Sequence, residues 1–284
     1  MKKNNFKNIF KILGLCVIPF TLISCSAESE GDLEGNSSGK VRIVSVSGST
    51  SVGPLMEKLS EAYEDNNDKI SVEINQVGSS AGIKDTINEV VEIGMSSREL
   101  KEDEEKELNS EIIAYDGIAI ITNKNNPVKN LSLEDVKNIY TGEIKNWNEI
   151  KGGEDSPIVV VSREDGSGTR DAFQEIVGFS SEELRDDALI SNGNGSIKSM
   201  VEGNKNAIAF VSFEYLDDTI NALDIDGVKA EPEEVINRNY KLSRAFLLVR
   251  KIGNEKEDIN EIIDFILSEE GQTIVSENSL IPVK

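Results

Sequence analysis

The chain has 284 residues, 30 basic against 52 acidic, with no histidine, two cysteines and a formal net charge of −22. The lack of histidine removes the commonest general base and metal ligand and excludes histidine-dependent catalysis, while the acidic balance makes nucleic acid a poor partner. An anion site in such a chain has to act through short-range donors, because the repulsive bulk field fades over roughly 8 Å at physiological salt whereas adjacent hydrogen bonds persist.

Residues 1–24 read as a signal peptide. Lys2, Lys3, Lys7 and Lys11 precede an apolar run from Ile12 to Ile23 that is short for a bilayer span and contains Pro19. The run ends Leu22, Ile23, Ser24, Cys25, which resembles the lipobox of bacterial lipoproteins, where cleavage leaves the cysteine as a lipidated first residue. The alternative is a plain signal peptide followed by an incidental cysteine. Cys16 leaves with the leader in either case, so Cys25 remains the only thiol and neither an internal disulfide nor a cysteine metal cluster is available. A lipid on Cys25 places the domain at the extracellular face of a Gram-positive-like cell membrane. Residues 25–40, rich in Ser, Gly and Glu without an apolar period, read as a flexible tether.

The globular part starts near Val41. VRIVSVSG alternates as a strand, and after Ser49, Thr50 and Ser51 a helix follows in which Leu55, Met56, Leu59, Ala62 and Tyr63 recur at helical spacing behind Pro54. The pattern repeats: ISVEINQVG leads through Ser79 and Ser80 into IKDTINEV, and VEIGM leads through Ser96, Ser97 and Arg98 into LKEDEEKEL, read as an acidic helix. EIIAYDGIAIIT is a nearly continuous apolar run, the pattern of a strand buried on both faces. The Pro- and Asn-rich NKNNPVKN then reads as a boundary.

LSLEDVKNIYTG is expected as a helix opened by Ser132 and stopped by Gly142, and Trp147, the only tryptophan, as a packing residue in a polar turn. PIVVVSREDGSGTRDAF is a fourth strand-to-helix junction, with Arg163, Asp165, Gly166, Ser167, Gly168 and Thr169 at the turn. Beyond it lie SSEELRDDAL as a helix, SNGNGS as a loop, a helix SIKSMVEGN and a strand AIAFVSF. From Asp218 come a short strand near DIDGVKA, a longer one in YKLSRAFLLVRK, one helix over DINEIIDFILSEEGQTIVSE and an apolar tail LIPVK.

A strand running into small polar residues at a helix start is how a chain builds an anion site, since the first-turn N–H groups lack intrahelical partners and carry the positive end of the macrodipole. One such junction is equally an ordinary helix cap; four in one α/β chain point to loops that converge on a crevice at the carboxyl ends of the strands. The expected organisation is a first domain of residues 41–122 and 218–284, with 123–217 inserted, and two chain crossings forming a hinge.

GSTSVGPLMEKL, QVGSSAGIKDTI, IGMSSREL, YDGIAIITNKNNPV, IYTGEIKNWNEI and SREDGSGTRDAF, in that order, resemble the successive motifs of the phosphate-binding proteins (PstS) of bacterial ABC-type phosphate importers, over about Val41 to Lys284. The resemblance implies a two-lobed, type II periplasmic-binding-protein-like α/β fold with a hinge and interlobe cleft. It also implies inorganic phosphate and the membrane permease of an ABC importer as partners, a monomer, no cofactor, no metal and no catalysis.

By the same resemblance, Ser49, Thr50 and Ser51 of the first loop, Ser79 of the second, and Arg163, Ser167, Gly168 and Thr169 of the other lobe hold phosphate. Asp165 matches the carboxylate that orients Arg163. Ser97 of the third loop is also expected to bind phosphate, at the position where the best-known members place an aspartate that accepts the phosphate proton, and Arg98 follows it. Asp116 is the candidate replacement acceptor, Ser80 is a supporting residue, and Arg98 is expected either at the anion or capping its own helix. The competing readings are a binding protein for sulfate, molybdate or tungstate, a serine hydrolase with a lysine base, and a surface adhesin. The hydrolase lacks a Gly-x-Ser-x-Gly turn and a supported Ser-x-x-Lys pair.

Overall fold

A computed structural model describes residues 41–254 and 256–283. The signal peptide, the lipidation of Cys25 and the tether concern residues that lie outside these. In chain order the first elements are β1 (Arg42–Gly48), α1 (Gly53–Asp65), β2 (Ile70–Gln76), α2 (Ser79–Ile87), β3 (Ile93–Ser96) and β4 (Leu108–Asn123). Then come β5 (Asn130–Leu131), α3 (Leu133–Thr141), β6 (Val159–Arg163), α4 (Gly168–Val177), β7 (Leu189–Ser191), α5 (Gly193–Glu202) and β8 (Ala207–Ser212). The last are β9 (Ile220–Ala222), β10 (Asp224–Ile225), α6 (Pro232–Ile236), β11 (Ser243–Lys251), α7 (Glu257–Ile266) and α8 (Glu269–Glu277).

One sheet runs β2-β1-β3-β11-β4-β8-β6-β7, with β9 added to β4, and a separate pair joins β5 to β10. Strands β1, β2 and β3 are mutually parallel, as are β6, β7 and β8, so both sets of carboxyl ends carry loops of the same kind. The long β4 joins the two halves. Its residues 108–117 pair antiparallel with β11, and Ile118–Thr122 pair antiparallel with β8.

The buried apolar residues divide in the same place. One core holds Val44, Val46, Leu55, Met56, Leu59, Ile113, Ala114, Phe246, Leu248, Ile259, Ile263 and Leu280, and Ile83, Leu247 and Val249 form a smaller cluster on the α2 side. The other holds Ile118–Ile121, Trp147, Phe173, Phe210, Ile220, Leu223, Ile225, Tyr240 and Leu242, with Phe173 stacked on Phe210 at 4.1 Å. The lobes therefore exchange chain near Gly117 and again near Leu242, rather than at 122 and 217. The apolar run of β4 hid the first crossing, because Ile113 and Ile120 look alike although each faces a different core. NKNNPVKN is a turn inside the second lobe, pinned by Asn123 Nδ2 donating to the carbonyls of Val201 and Glu202.

Local expectations hold where a cap and an apolar stripe agree. Ser132 accepts from the Asp135 N–H in a capping box and Gly142 closes α3 with φ 85°. Trp147 is buried and donates through Nε1 to the Asn206 carbonyl at 3.0 Å. The acidic stretch after Arg98 is not a helix but turns over 102–107: five acids lacking an apolar stripe repel one another, and Glu104 is drawn to Arg98 instead. SSEELRDDAL gives only a single 3₁₀ turn, Ser181–Glu183, for the same want of an apolar face. Helix α5 starts at Gly193, inside the stretch read as a loop. The last helix is two, broken where Ser268 caps α8 by accepting from the Gly271 N–H.

The tail packs back on the first lobe. Ile281 exchanges backbone hydrogen bonds with Tyr115 of β4 at 2.8 and 2.9 Å, and Leu280 is 2% exposed in the first core. Leu280→Ala leaves a cavity there and is expected to lower stability by about 2–5 kcal/mol, read as a reduced urea midpoint at unchanged m-value.

Candidate anion-binding site

The four junctions singled out in the sequence meet between the lobes. Helices α1 and α2 both begin without a side-chain cap on the N-cap residue, which is Val52 in one and Gly78 (φ 96°) in the other. Helix α4 begins at Ser167, whose Oγ accepts from the Arg170 N–H at 3.3 Å. The first-turn N–H groups beyond such caps have no partner within the helix. Ser49, Ser51, Ser79, Ser97, Arg163, Ser167 and Thr169 are all 2% exposed or less.

Donor and acceptor roles in this cluster are set where a backbone N–H takes part, and the Ser51–Thr169 and Ser79–Ser97 hydroxyl pairs can each donate either way. Ser49 Oγ accepts from the N–H groups of Ser51 and Val52 at 3.1 and 3.3 Å and donates to Ser97 Oγ at 2.9 Å. Ser79 Oγ accepts from the Ser97 N–H at 3.1 Å and lies 3.3 Å from Ser97 Oγ. Across the lobes, Ser51 Oγ is 2.6 Å from Thr169 Oγ1, and Arg163 donates to Thr50 Oγ1 at 2.9 Å. A Cβ on Gly168 would stand 2.2 Å from Ser79 Oγ and 2.8 Å from Ser97 Oγ, so only glycine lets the start of α4 approach this closely.

The carboxylate partners differ from the expectation at two positions. Arg163 is held by Glu164, through Nε at 2.8 Å and a terminal nitrogen at 2.7 Å. Burial alone would raise the Glu164 carboxyl, but the Arg163 charge prevails and holds it below its ordinary value. Asp165 turns outward, its side chain 93% exposed, and pairs with Arg170 at 2.6 Å. The strand ends at Arg163, and the turn that follows sends the two consecutive acids to different arginines.

Asp116 is not a free acceptor. Its Oδ1 accepts from Ser212 Oγ (2.9 Å) and the Phe213 N–H (3.2 Å), and its Oδ2 from Arg244 Nε (3.2 Å) and Nη2 (2.9 Å), which uses all four lone-pair positions. Burial lifts the Asp116 carboxyl above its ordinary value and lowers Arg244, while the charge of each partner opposes both shifts.

Arg98 neither caps a helix nor extends toward the hydroxyl cluster. It pairs bidentately with Glu104 at 2.8 and 2.9 Å, donates to Ser80 Oγ at 3.3 Å, and meets Asp171 of α4 at 3.1 Å, an ion pair between lobes. Burial opposes its charge, but Glu104 and Asp171 more than offset that and keep its pKa above the ordinary arginine value.

Glu164, Asn194 and Arg244 escaped the sequence reading. Asn194, buried at the start of α5, donates to Ser51 Oγ at 2.9 Å and accepts from Arg163 at 3.4 Å and from the Ser212 N–H at 3.3 Å. Its signal was the Asn- and Gly-rich stretch after β7, a fifth junction of the same form. Arg244 was readable as a cation just ahead of the apolar run of β11, as Asp116 was an acid inside the apolar run of β4.

These features define a class: a two-lobed solute-binding protein of the type II periplasmic architecture, with a buried, donor-lined site where its lobes meet. A model of the PBP superfamily domain matches residues 31–270, and the phosphate-binding protein PstS of Bacillus subtilis is 30% identical over 295 residues, covering 100% of this chain and 95% of that one. The chain belongs to the PBP superfamily and, within it, to the PstS phosphate-binding proteins. The PstS of Borreliella burgdorferi is 27% identical over 254 residues, 86% of this chain and 91% of its own.

Among solved structures, a candidate phosphate ABC transporter substrate-binding protein from Clostridium perfringens with bound phosphate is 59% identical at a TM-score of 0.84, covering 86% of this chain and 100% of that one. An ABC-type phosphate transport receptor from Vibrio cholerae is 34% identical at a TM-score of 0.73, covering 84% and 99%. Among the described residues, no helix is long and apolar enough to cross a membrane.

Asp116→Asn leaves the Arg244 guanidinium buried without a counter-charge and is expected to cost about 3–5 kcal/mol in urea unfolding. Adding Arg244→Met to it should recover part of that loss, because the uncompensated charge is then gone.

Proposed function

We propose that this chain captures inorganic phosphate between its lobes and delivers it to the membrane permease of an ABC-type phosphate importer. The observation that carries the reading is the convergence of the buried Ser51, Ser79, Ser97, Arg163 and Thr169, with the half-buried Thr50, from both lobes around the starts of α1, α2 and α4. Hydroxyls, first-turn N–H groups and one guanidinium suit a tetrahedral oxyanion. Charge-assisted hydrogen bonds contribute roughly 1.5–3 kcal/mol each, so a few of them reach the roughly 8 kcal/mol of micromolar binding after ordering costs.

Chemistry on the bound anion has no support in this arrangement. Among the described residues these hydroxyls neighbour one another and Arg163, and the nearby carboxylates of Asp116 and Glu164 are paired with arginines. We read the chain as a carrier that releases its ligand unchanged, as its membership of the PstS phosphate-binding proteins supports. Lipid attachment at Cys25 and action as a monomer at the outer face of the cell membrane complete the proposal, and mass spectrometry of membrane-extracted protein tests the lipid.

Ser97 is the acceptor for a phosphate proton in this reading. It receives the Ser49 proton, and its own proton can turn to Ser79 Oγ, which presents a lone pair to the ligand. The neighbouring carboxylates are already engaged: Asp116 with Arg244, Glu164 with Arg163, and Glu104 and Asp171 with Arg98. A hydroxyl also donates, so sulfate is rejected less firmly than by a fixed carboxylate. A sulfate carrier on the same architecture is the second reading, and competition between the two anions decides.

Titration calorimetry with phosphate is expected to show one saturable site, and no heat with no thermal shift would overturn the reading. Arg163→Gln should weaken binding about 100-fold, and Asn194→Ala about 10-fold, with under about 2 kcal/mol of lost stability. Ser97→Ala is expected to weaken phosphate more than sulfate; an equal loss for both would show that Ser97 does not accept the phosphate proton.

A further inference from the structure

Glu214 has no part in the site described above, yet it is the most anomalous charge between the lobes. It lies in the 3₁₀ turn Phe213–Tyr215 that follows β8 in the second lobe. Its side chain is 8% exposed, and both carboxylate oxygens are buried with no hydrogen-bond partner. The turn cannot easily carry it elsewhere: on one side Ser212 and Phe213 are tied to Asp116, and on the other the Tyr215 hydroxyl donates to the Thr50 carbonyl of the first lobe at 3.2 Å.

Helix α1 of the first lobe faces it with Lys58 and Glu57. Lys58 Nζ stands 3.8 Å from Glu214 Oε1, beyond hydrogen-bond distance, is half exposed, and donates to Asn278 Oδ1. Glu57 accepts from Gln76 at 2.8 Å and adds negative charge on that side. From β4 the field of Asp116 also reaches Glu214, and Asp116 is paired with Arg244. One half-solvated cation thus stands against two other acids and a dry setting.

We infer that closing the lobes over the ligand takes up a proton on Glu214, so that capture is favoured by acidity and opposed as the medium turns alkaline. The inference rests on the reading of the chain as a hinged phosphate carrier. With the lobes apart, water reaches the carboxylate and it ionises as an ordinary glutamate, near 4.3. With the lobes together, burial raises it to about 7, with the Lys58 charge pulling down and those of Asp116 and Glu57 pushing up. A group whose pKa is raised in the closed form favours closure fully below its open-state value and loses that contribution as pH rises toward the closed-state value. The affected window therefore runs from about pH 4.5 to about pH 7, with weaker closure above it.

The test is calorimetry of phosphate binding to the full mature chain in buffers of differing ionisation enthalpy, for wild type and Glu214→Gln. The difference between the two proteins cancels the ionisation of phosphate itself. Wild type should take up close to one proton more than the variant at pH 6 and about a tenth of a proton more at pH 8, and its affinity relative to the variant should fall about tenfold between those values. Lys58→Met removes the cation that holds the proton off, so its proton uptake should persist at pH 8. Should Glu214→Gln not fold, the Lys58 variant decides alone. Equal proton uptake in all three proteins while phosphate still binds overturns this inference only. No phosphate binding to wild type at either pH overturns the carrier reading and this inference with it.

Discussion

A single buried ion pair fixes where the lobes meet. Asp116 sits on β4 one residue before the chain leaves the first lobe, and Arg244 sits on β11 just after it returns, so the pair joins both crossings. The remaining acceptor positions of Asp116 hold Ser212 and Phe213, which sets the end of β8, and Arg244 also donates to the Ser97 carbonyl at 3.3 Å. One unit thereby ties the third loop of the first lobe to the last parallel strand of the second. Desolvating two charges contributes little net stability by itself. Its value here is geometric, because Gly117, the next residue on β4, lies against the Phe213 ring so closely that a Cβ would stand 2.2 Å from it.

The same economy governs the charges around the hydroxyl cluster. Arg163 is matched by Glu164, Arg98 by Glu104 and Asp171, Arg170 by Asp165, and Arg244 by Asp116. A chain with formal charge −22 repels anions at long range, and pairing cancels much of what its arginines add locally. Oriented dipoles remain: helix starts whose N-cap residues lend no side chain, and hydroxyls such as that of Ser51, which accepts from Asn194 and keeps its own proton to give. Such donors act over one contact distance, where screening and bulk charge matter little.

Much of this was legible in the sequence because several signals coincided. β1 with α1, β2 with α2 and β6 with α4 each combine an apolar run, small polar residues and a helical period, and the loops they create do converge. Junction chemistry is local, so it can be read locally. The partner of each arginine is not. Glu164 and Asp165 are adjacent acids, and only the turn after β6 decides which of them faces Arg163. The lobe boundaries failed for a related reason: β4 is apolar throughout, and nothing in its composition marks where its neighbours change from β11 to β8. The acidic stretch after Arg98 shows the opposite error, a helical reading based on propensity where no apolar stripe existed to hold it.

A carrier has to let go as well as hold, and the interlobe contacts bear on that requirement. Arg163 with Thr50, Ser51 with Thr169, Arg98 with Asp171 and Tyr215 with the Thr50 carbonyl all cross between the lobes, and none of these contacts is a packed apolar surface. The two hydrophobic cores are separate, so opening a hinge between them exposes little apolar area and water can replace the polar contacts it breaks. Closure then depends on what the ligand adds to a nearly balanced interface, as population shift requires of a reversible binder. Against that balance the buried Glu214 carboxylate, whose oxygens have no hydrogen-bond partner and which Lys58 opposes only from 3.8 Å, is a charge that the inferred proton uptake can act through.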